Sequence, residues 1–114
     1  MPASFFNKSR VNHLDADEFE KLLKETPDAI LLDVRTEEEH FNTRIPNSIL
    51  INVYEPGFMK EIDKLDKEKT IFVYCHSGGR SGMVCEQMMK NGFMKVYNLE
   101  DGIVSWRGKL EHSD

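Results

Sequence analysis

Apolar and polar positions follow two different periods along this chain. Residues 29–34 and Thr70–Tyr74 are short, nearly continuous apolar runs, whereas around Phe19, Leu22 and Leu23 the apolar positions return every three or four residues. The first pattern suits strands buried on both faces of a parallel sheet, and the second suits helices laid against one. Further strands are predicted over residues 10–13, 48–53 and 95–99. Helices are predicted over 15–25, 36–42, 58–65 and 81–90, with a closing one over 102–109 that holds the only tryptophan, Trp106. Asp15 with Glu18, and Thr36 with Glu39, pair a capping oxygen with an acid three residues on, which marks two helix starts. Thr26-Pro27 and Asn91-Gly92 mark two stops. Strand-like and helix-like segments alternating from end to end predict an α/β fold: a mostly parallel sheet of about five strands with helices on both faces.

With 114 residues the expectation is a single domain spanning 1–114. Hydrophobic residues at 39% and charged residues at 31% are ordinary for a globular chain. The 15 basic and 20 acidic residues give a formal charge of −5, which argues against nucleic acid or an anionic membrane as partner. An anionic substrate would then need a locally positive pocket. The apolar runs fall far short of the ~20 residues of a membrane span, and the first ten residues lack the ordered zones of a secretory signal, so a cytoplasmic protein is expected. The two cysteines, Cys75 and Cys85, are too few for a disulfide framework. Neither a Cys-x-x-Cys nor a His-x3-His pair occurs, so no metal and no cofactor is expected.

The chemistry concentrates where the most β-prone strand ends. Cys75-His-Ser-Gly-Gly-Arg80 is a glycine-containing loop, followed by Ser81 and a helix. Glycines let such a loop curl until several N–H groups aim at one spot, an anion-binding nest at the positive end of the helix. That spot is where the Cys75 sulfur belongs. Moving a thiol from about 8.5 to about 6.5 needs about 2.7 kcal/mol of preferential anion stabilisation. A helix end at ~0.5–2 kcal/mol and one or two charge-assisted N–H bonds at ~1.5–3 each suffice. Cys75 is therefore the candidate nucleophile. Arg80 is suited to a substrate oxyanion, and Ser77, Gly78, Gly79 and Ser81 are candidates for the cradle. His76 is a candidate for proton transfer or simply a solvent-facing residue.

The segments Leu31-Leu-Asp-Val-Arg-Thr36, Arg44-Ile-Pro46, Tyr74-Cys-His-Ser-Gly-Gly-Arg-Ser81, Gly92-Phe93 and Val96-Tyr-Asn-Leu99 fall in the order and spacing of the rhodanese family, which this chain resembles over about residues 11–109. The family's active-loop pattern Cys-x-x-Gly-x-Arg is matched by Cys75, Gly78 and Arg80. The resemblance implies a three-layer rhodanese-like fold and a double-displacement cycle. In it the Cys75 thiolate takes the outer sulfur of a donor such as thiosulfate, releases sulfite, and passes the sulfur to cyanide or to a thiol, protein thiols included. Asp33 and Arg35 end the second strand on the side of the loop, which fits either a structural role or one supporting the site, and the resemblance implies the structural one. Two departures stand out. The family usually has Gly-His before Ile45-Pro46 and Gly-Ala after it, where this chain has Thr43-Arg44 and Asn47-Ser48, and Asp101-Gly102 stands where Gly-Gly is common. The first predicts a changed surface near the pocket mouth. An acid at a helix start makes the second benign.

The remaining candidates have plainer readings. Cys85 has Val84, Met88 and Met89 as company and reads as a packing residue, with a resolving thiol as the alternative. Met83, Met88, Met89 and Met94 read as core filler, and Glu37-Glu38-Glu39 as a solvated first helical turn. Arg44 and Arg107 are candidates to add positive field at the pocket. Two other functions fit the loop less well. A cysteine phosphatase or arsenate reductase of related fold has Cys-x5-Arg, one residue longer than the span from Cys75 to Arg80. A dedicated persulfide carrier serving one protein partner would retain Cys75 but act poorly on thiosulfate.

Overall fold

The structure is a computed structural model and describes residues 11–113. Strands β1 (Asn12–Leu14), β2 (Ile30–Asp33), β3 (Ile49–Leu50), β4 (Thr70–Tyr74) and β5 (Lys95–Leu99) form one sheet in the order β1-β5-β4-β2-β3. Every pair is parallel. Between them run α1 (Ala16–Lys24), α2 (Glu37–Asn42), α3 (Phe58–Ile62) and α4 (Gly79–Lys90), and a 3-10 turn over Ile103–Ser105 follows β5.

Successive side chains of a strand point to opposite faces, and this divides the core in two. Leu32, Val34, Ile71, Val73 and Val96 pack with Ile62 of α3 and with Val84, Cys85 and Met88 of α4. Leu31, Phe72, Tyr74 and Leu99 pack on the other face with Phe19 of α1, Ile45 and Ile103. Helices thus cover both faces, as the patterning predicts.

Both predicted caps form. The Asp15 side chain accepts from the Glu18 N–H at 2.9 Å, and at α2 Thr36 and Glu39 make the reciprocal capping box. Several bounds differ from expectation. The predicted first strand began at Arg10, which lies outside the described residues; the strand described covers Asn12–Leu14, one residue beyond the expected end. The strand over 48–53 is regular only at Ile49–Leu50, because Ser48 turns back to the Ile45 carbonyl. Its continuation still pairs, with Ile51 N–H donating to Asp33 and Val53 N–H to Val34. The helix over 58–65 stops at Ile62, and α4 begins at Gly79, two residues before Ser81.

The closing helix over 102–109 is absent. Gly102 enters in a left-handed conformation (φ 75°) with no side-chain cap, and Trp106 is already extended, its ring edge against Phe19 and its Nε1–H on the Lys109 carbonyl. Burying the indole against α1 draws the chain straight after one tight turn. Asp101 therefore begins no helix. The methionines split as well. α4 turns Ser81, Val84, Cys85 and Met88 inward, which leaves Met83 exposed, and Met94 is exposed beside the buried Phe93.

Candidate active site

Chain direction across the sheet reverses between β2 and β4: the β4-α4-β5 connection runs to one side and the β2-α2-β3 connection to the other. The carboxyl ends of those strands therefore border a crevice, the usual ligand position in an open α/β sheet. Asp33 pairs with Tyr74 in register, so the residues that follow each, Arg35 to Glu39 and Cys75 to Arg80, meet there.

Cys75 is buried, and its Sγ accepts from the Gly78 N–H at 3.1 Å, the Ser81 N–H at 3.3 Å and the Ser81 hydroxyl at 3.4 Å. Burial pushes this thiol up, but donors from Ser81, Gly78 and Ser77 outweigh it and hold it below the ordinary value. Gly78 has φ 103°, and a Cβ there would meet the Glu100 carbonyl oxygen at 1.8 Å. Only glycine fits this approach. Ile103 N–H holds the Cys75 carbonyl at 2.9 Å, and Val104 N–H holds that of His76 at 3.3 Å, so the 3-10 turn braces the loop from outside.

The other predicted residues fall in different places. Gly79 opens α4 with free space around its Cα and is not among the sulfur's partners. His76 and Ser77 are exposed. A groove of about 400 Å³ beside the loop is lined by His76, Arg35, Glu39, Thr43, Val104 and Leu110, among others. Asp33 and Arg35 are a buried bidentate pair, at 2.9 Å to Nε and 2.8 Å to Nη2. His40 Nδ1 adds a contact to Asp33 at 2.8 Å, and Arg35 reaches the Thr43 carbonyl. This cluster fixes the path from β2 into α2.

Arg80 does not stand free. Its Nη1 and Nη2 donate to the two oxygens of Glu39 at 2.8 and 2.9 Å, and its guanidinium lies 5.7 Å from the centre of the Tyr54 ring. The bond from Arg80 holds the Glu39 carboxyl at about 2, against partial burial and with help from Thr36. The reading of Glu37 to Glu39 as a solvated run is thus corrected at Glu39: the capping geometry that starts α2 aims its carboxylate across the crevice. Asn98 stands in the sequence reading only within the segment Val96-Tyr-Asn-Leu99, with no role of its own. Buried on β5, it accepts from the Ser81 hydroxyl at 2.5 Å and contacts His13 Nδ1 through its amide nitrogen at 3.1 Å. The capping box was the one signal that singled out Glu39; nothing local marks Asn98.

Arg44 and Arg107, the candidates for added positive field, are each paired with a carboxylate. Arg44 pairs with Glu111, as backbone bridge and as ion pair at 3.4 Å, and Arg107 pairs with Asp17 at 3.1 Å. Cys85 is fully buried, and burial, with Cys75 nearby, pushes its thiol up. Both cysteines are free thiols. At the altered turn Asn47 takes a left-handed conformation (φ 70°), one that glycine adopts readily and asparagine tolerates. Ser48 meanwhile bonds the Tyr74 hydroxyl at 2.9 Å.

A rhodanese-like domain profile matches residues 15–109. The chain belongs to the rhodanese-like family. It is 34% identical over 97 residues to a sulfurtransferase of Allochromatium vinosum, covering 84% of this chain and 88% of that one. To a thiosulfate sulfurtransferase of Coxiella burnetii it is 30% identical over 105 residues, covering 92% of each. The crystal structure of a rhodanese-like domain protein from Staphylococcus aureus superposes with TM-score 0.77 at 29% identity, covering 90% of this chain and 99% of that one. Rhodanese-type sulfur transfer, from a donor to an acceptor, is the chemistry these relatives bring. Among the described residues no helix is long and apolar enough to cross a membrane.

Proposed function

We propose that this rhodanese-like domain carries sulfane sulfur as a persulfide on Cys75. The thiolate attacks the outer sulfur of a donor; with thiosulfate the S–S bond of the donor breaks, sulfite leaves with the electron pair, and Cys75–S–S⁻ remains. A thiol or cyanide then attacks the terminal sulfur and frees the Cys75 thiolate. The observation that carries this reading is the Cys75 sulfur within reach of the Gly78 and Ser81 N–H groups. They favour the thiolate at that point, and in the persulfide the loop's inward N–H groups would cradle the terminal sulfur that carries the charge.

Intact-protein mass measurement after exposure to thiosulfate or to a thiol persulfide tests it. One added sulfur atom is expected on the parent chain, removed again by cyanide, and none on Cys75→Ser. Equal labelling of both proteins, or turnover surviving in the serine variant, would overturn the reading.

A further inference from the structure

The site's two arginines are both engaged by carboxylates. Arg35 is held by Asp33 and Arg80 by Glu39, each through two nitrogens. All four arginines among the described residues are ion-paired, on a chain with a formal charge of −5. Thiosulfate is a dianion and must approach a thiolate. Without an uncompensated cation at the mouth, only the loop amides and the start of α4 offset that repulsion. The persulfide of a thiol has no such need. Its reacting end carries at most one charge, on sulfur, which the loop amides can accept. Its organic body can lie in the adjoining groove, where Val104 and Leu110 offer exposed apolar surface.

Resting on the persulfide reading, we infer that Glu39 is a specificity-determining residue. By holding Arg80 it turns Cys75 away from small anionic donors and towards the persulfides of thiols. The step balances: the Cys75 thiolate bonds to the outer sulfur of R–S–SH, the R–S to S bond breaks, R–S⁻ leaves, and Cys75–S–SH is formed. Glu39 acts through Arg80 and is a positioning residue. Its hold is doubly anchored, because the carboxylate also accepts from the Thr36 N–H at 2.9 Å and the Thr36 hydroxyl at 3.1 Å.

The test compares kcat/KM for sulfur loading of the full chain from thiosulfate and from cysteine persulfide, in the parent, Glu39→Gln and Glu39→Gln/Arg80→Gln. The parent is expected to favour cysteine persulfide. Glu39→Gln is expected to raise the thiosulfate-to-persulfide ratio by about tenfold, the order of effect of one freed charge a few ångströms away in a largely solvated site. The gain should appear mainly in the KM for thiosulfate, shrink with added salt, and vanish in the double variant. A ratio that is unchanged or falls in a folded Glu39→Gln protein overturns the inference. Should that variant not fold, the parent decides. Its thiosulfate kcat/KM should stay level or rise as salt increases from about 10 to about 300 mM, where screening becomes strong. A fall would reveal a free Arg80 and overturn the inference. A parent that takes sulfur from neither donor removes the persulfide reading itself, and this inference with it.

Discussion

The Ser81 hydroxyl lies 2.5 Å from Asn98 Oδ1, closer than its 3.2 Å to the Gly78 carbonyl or its 3.4 Å to Cys75 Sγ. A hydroxyl has one proton to give, so Asn98 competes with the sulfur for it. The sulfur is then held by the Gly78 and Ser81 amides and by a shared hydroxyl proton. Removing Asn98 releases the hydroxyl towards the sulfur. Ser81→Ala should raise the Cys75 thiol pKa by about one unit or less, a weak hydrogen bond's worth, and Asn98→Ala should not raise it. The pH dependence of iodoacetamide alkylation reads both. An equal rise in the two variants would show that Asn98 orients the hydroxyl onto the sulfur instead.

The adjacent glycines differ in what they permit. Gly78 combines φ 103° with a backbone oxygen 1.8 Å from the position a Cβ would take, whereas Gly79 has nothing within 4 Å and a helical backbone. Gly78→Ala should abolish sulfur loading and destabilise the chain by about 3 kcal/mol or more, through strain and overpacking together. Gly79→Ala should load sulfur normally, with its thermal midpoint at or slightly above the parent's, because alanine favours the helix. Thermal unfolding and mass measurement on the pair distinguish a geometric requirement from a general need for flexibility.

Acid should dissolve the advantage Glu39 confers. Its carboxyl lies at about 2 in the fold against the usual 4.5, so the stability it contributes is present above pH 4.5 and is lost as the pH falls through about 2. At neutral pH Glu39→Gln should be less stable by about 1–2 kcal/mol, allowing for solvent screening of a partly exposed pair. The two proteins should converge towards pH 2. Denaturant unfolding across that range checks the sign, and a gap independent of pH would contradict it.

Tyr74 anchors the altered turn. Its buried hydroxyl accepts from the Ile45 N–H at 3.1 Å and bonds Ser48 at 2.9 Å; burial, with Asp33 nearby, pushes it up to about 12. Tyr74→Phe leaves the buried Ile45 N–H without its partner and should cost about 1–3 kcal/mol. Ser48→Ala keeps the Ile45 bond and should cost less. The same denaturant series ranks them, and a larger loss for Ser48→Ala would reverse the assignment of the anchor.

Local signals carried much of the architecture. Strand β4 appears at the bounds the apolar pattern predicts, because a run buried on both faces leaves a continuous imprint, and β5 does so too although Lys95 and Asn98 interrupt its run. Asp15 and Thr36 start the helices they announce, since a cap is made within four residues. The closing helix expected over 102–109 was outweighed by the contact of Trp106 with Phe19, far away in the chain.

The sequence alone determined the layered α/β plan, the place of Cys75 at a strand end and the glycine that lets the loop close on it, because each rests on neighbours in the chain. Tertiary structure alone decided which charges face that sulfur. Glu39 and Arg80 stand 41 residues apart, and Ser81 and Asn98 stand 17 apart. Such pairs meet only when the sheet order brings the ends of β2, β4 and β5 together, and a charge acts through the distance to its partner, which no local pattern records.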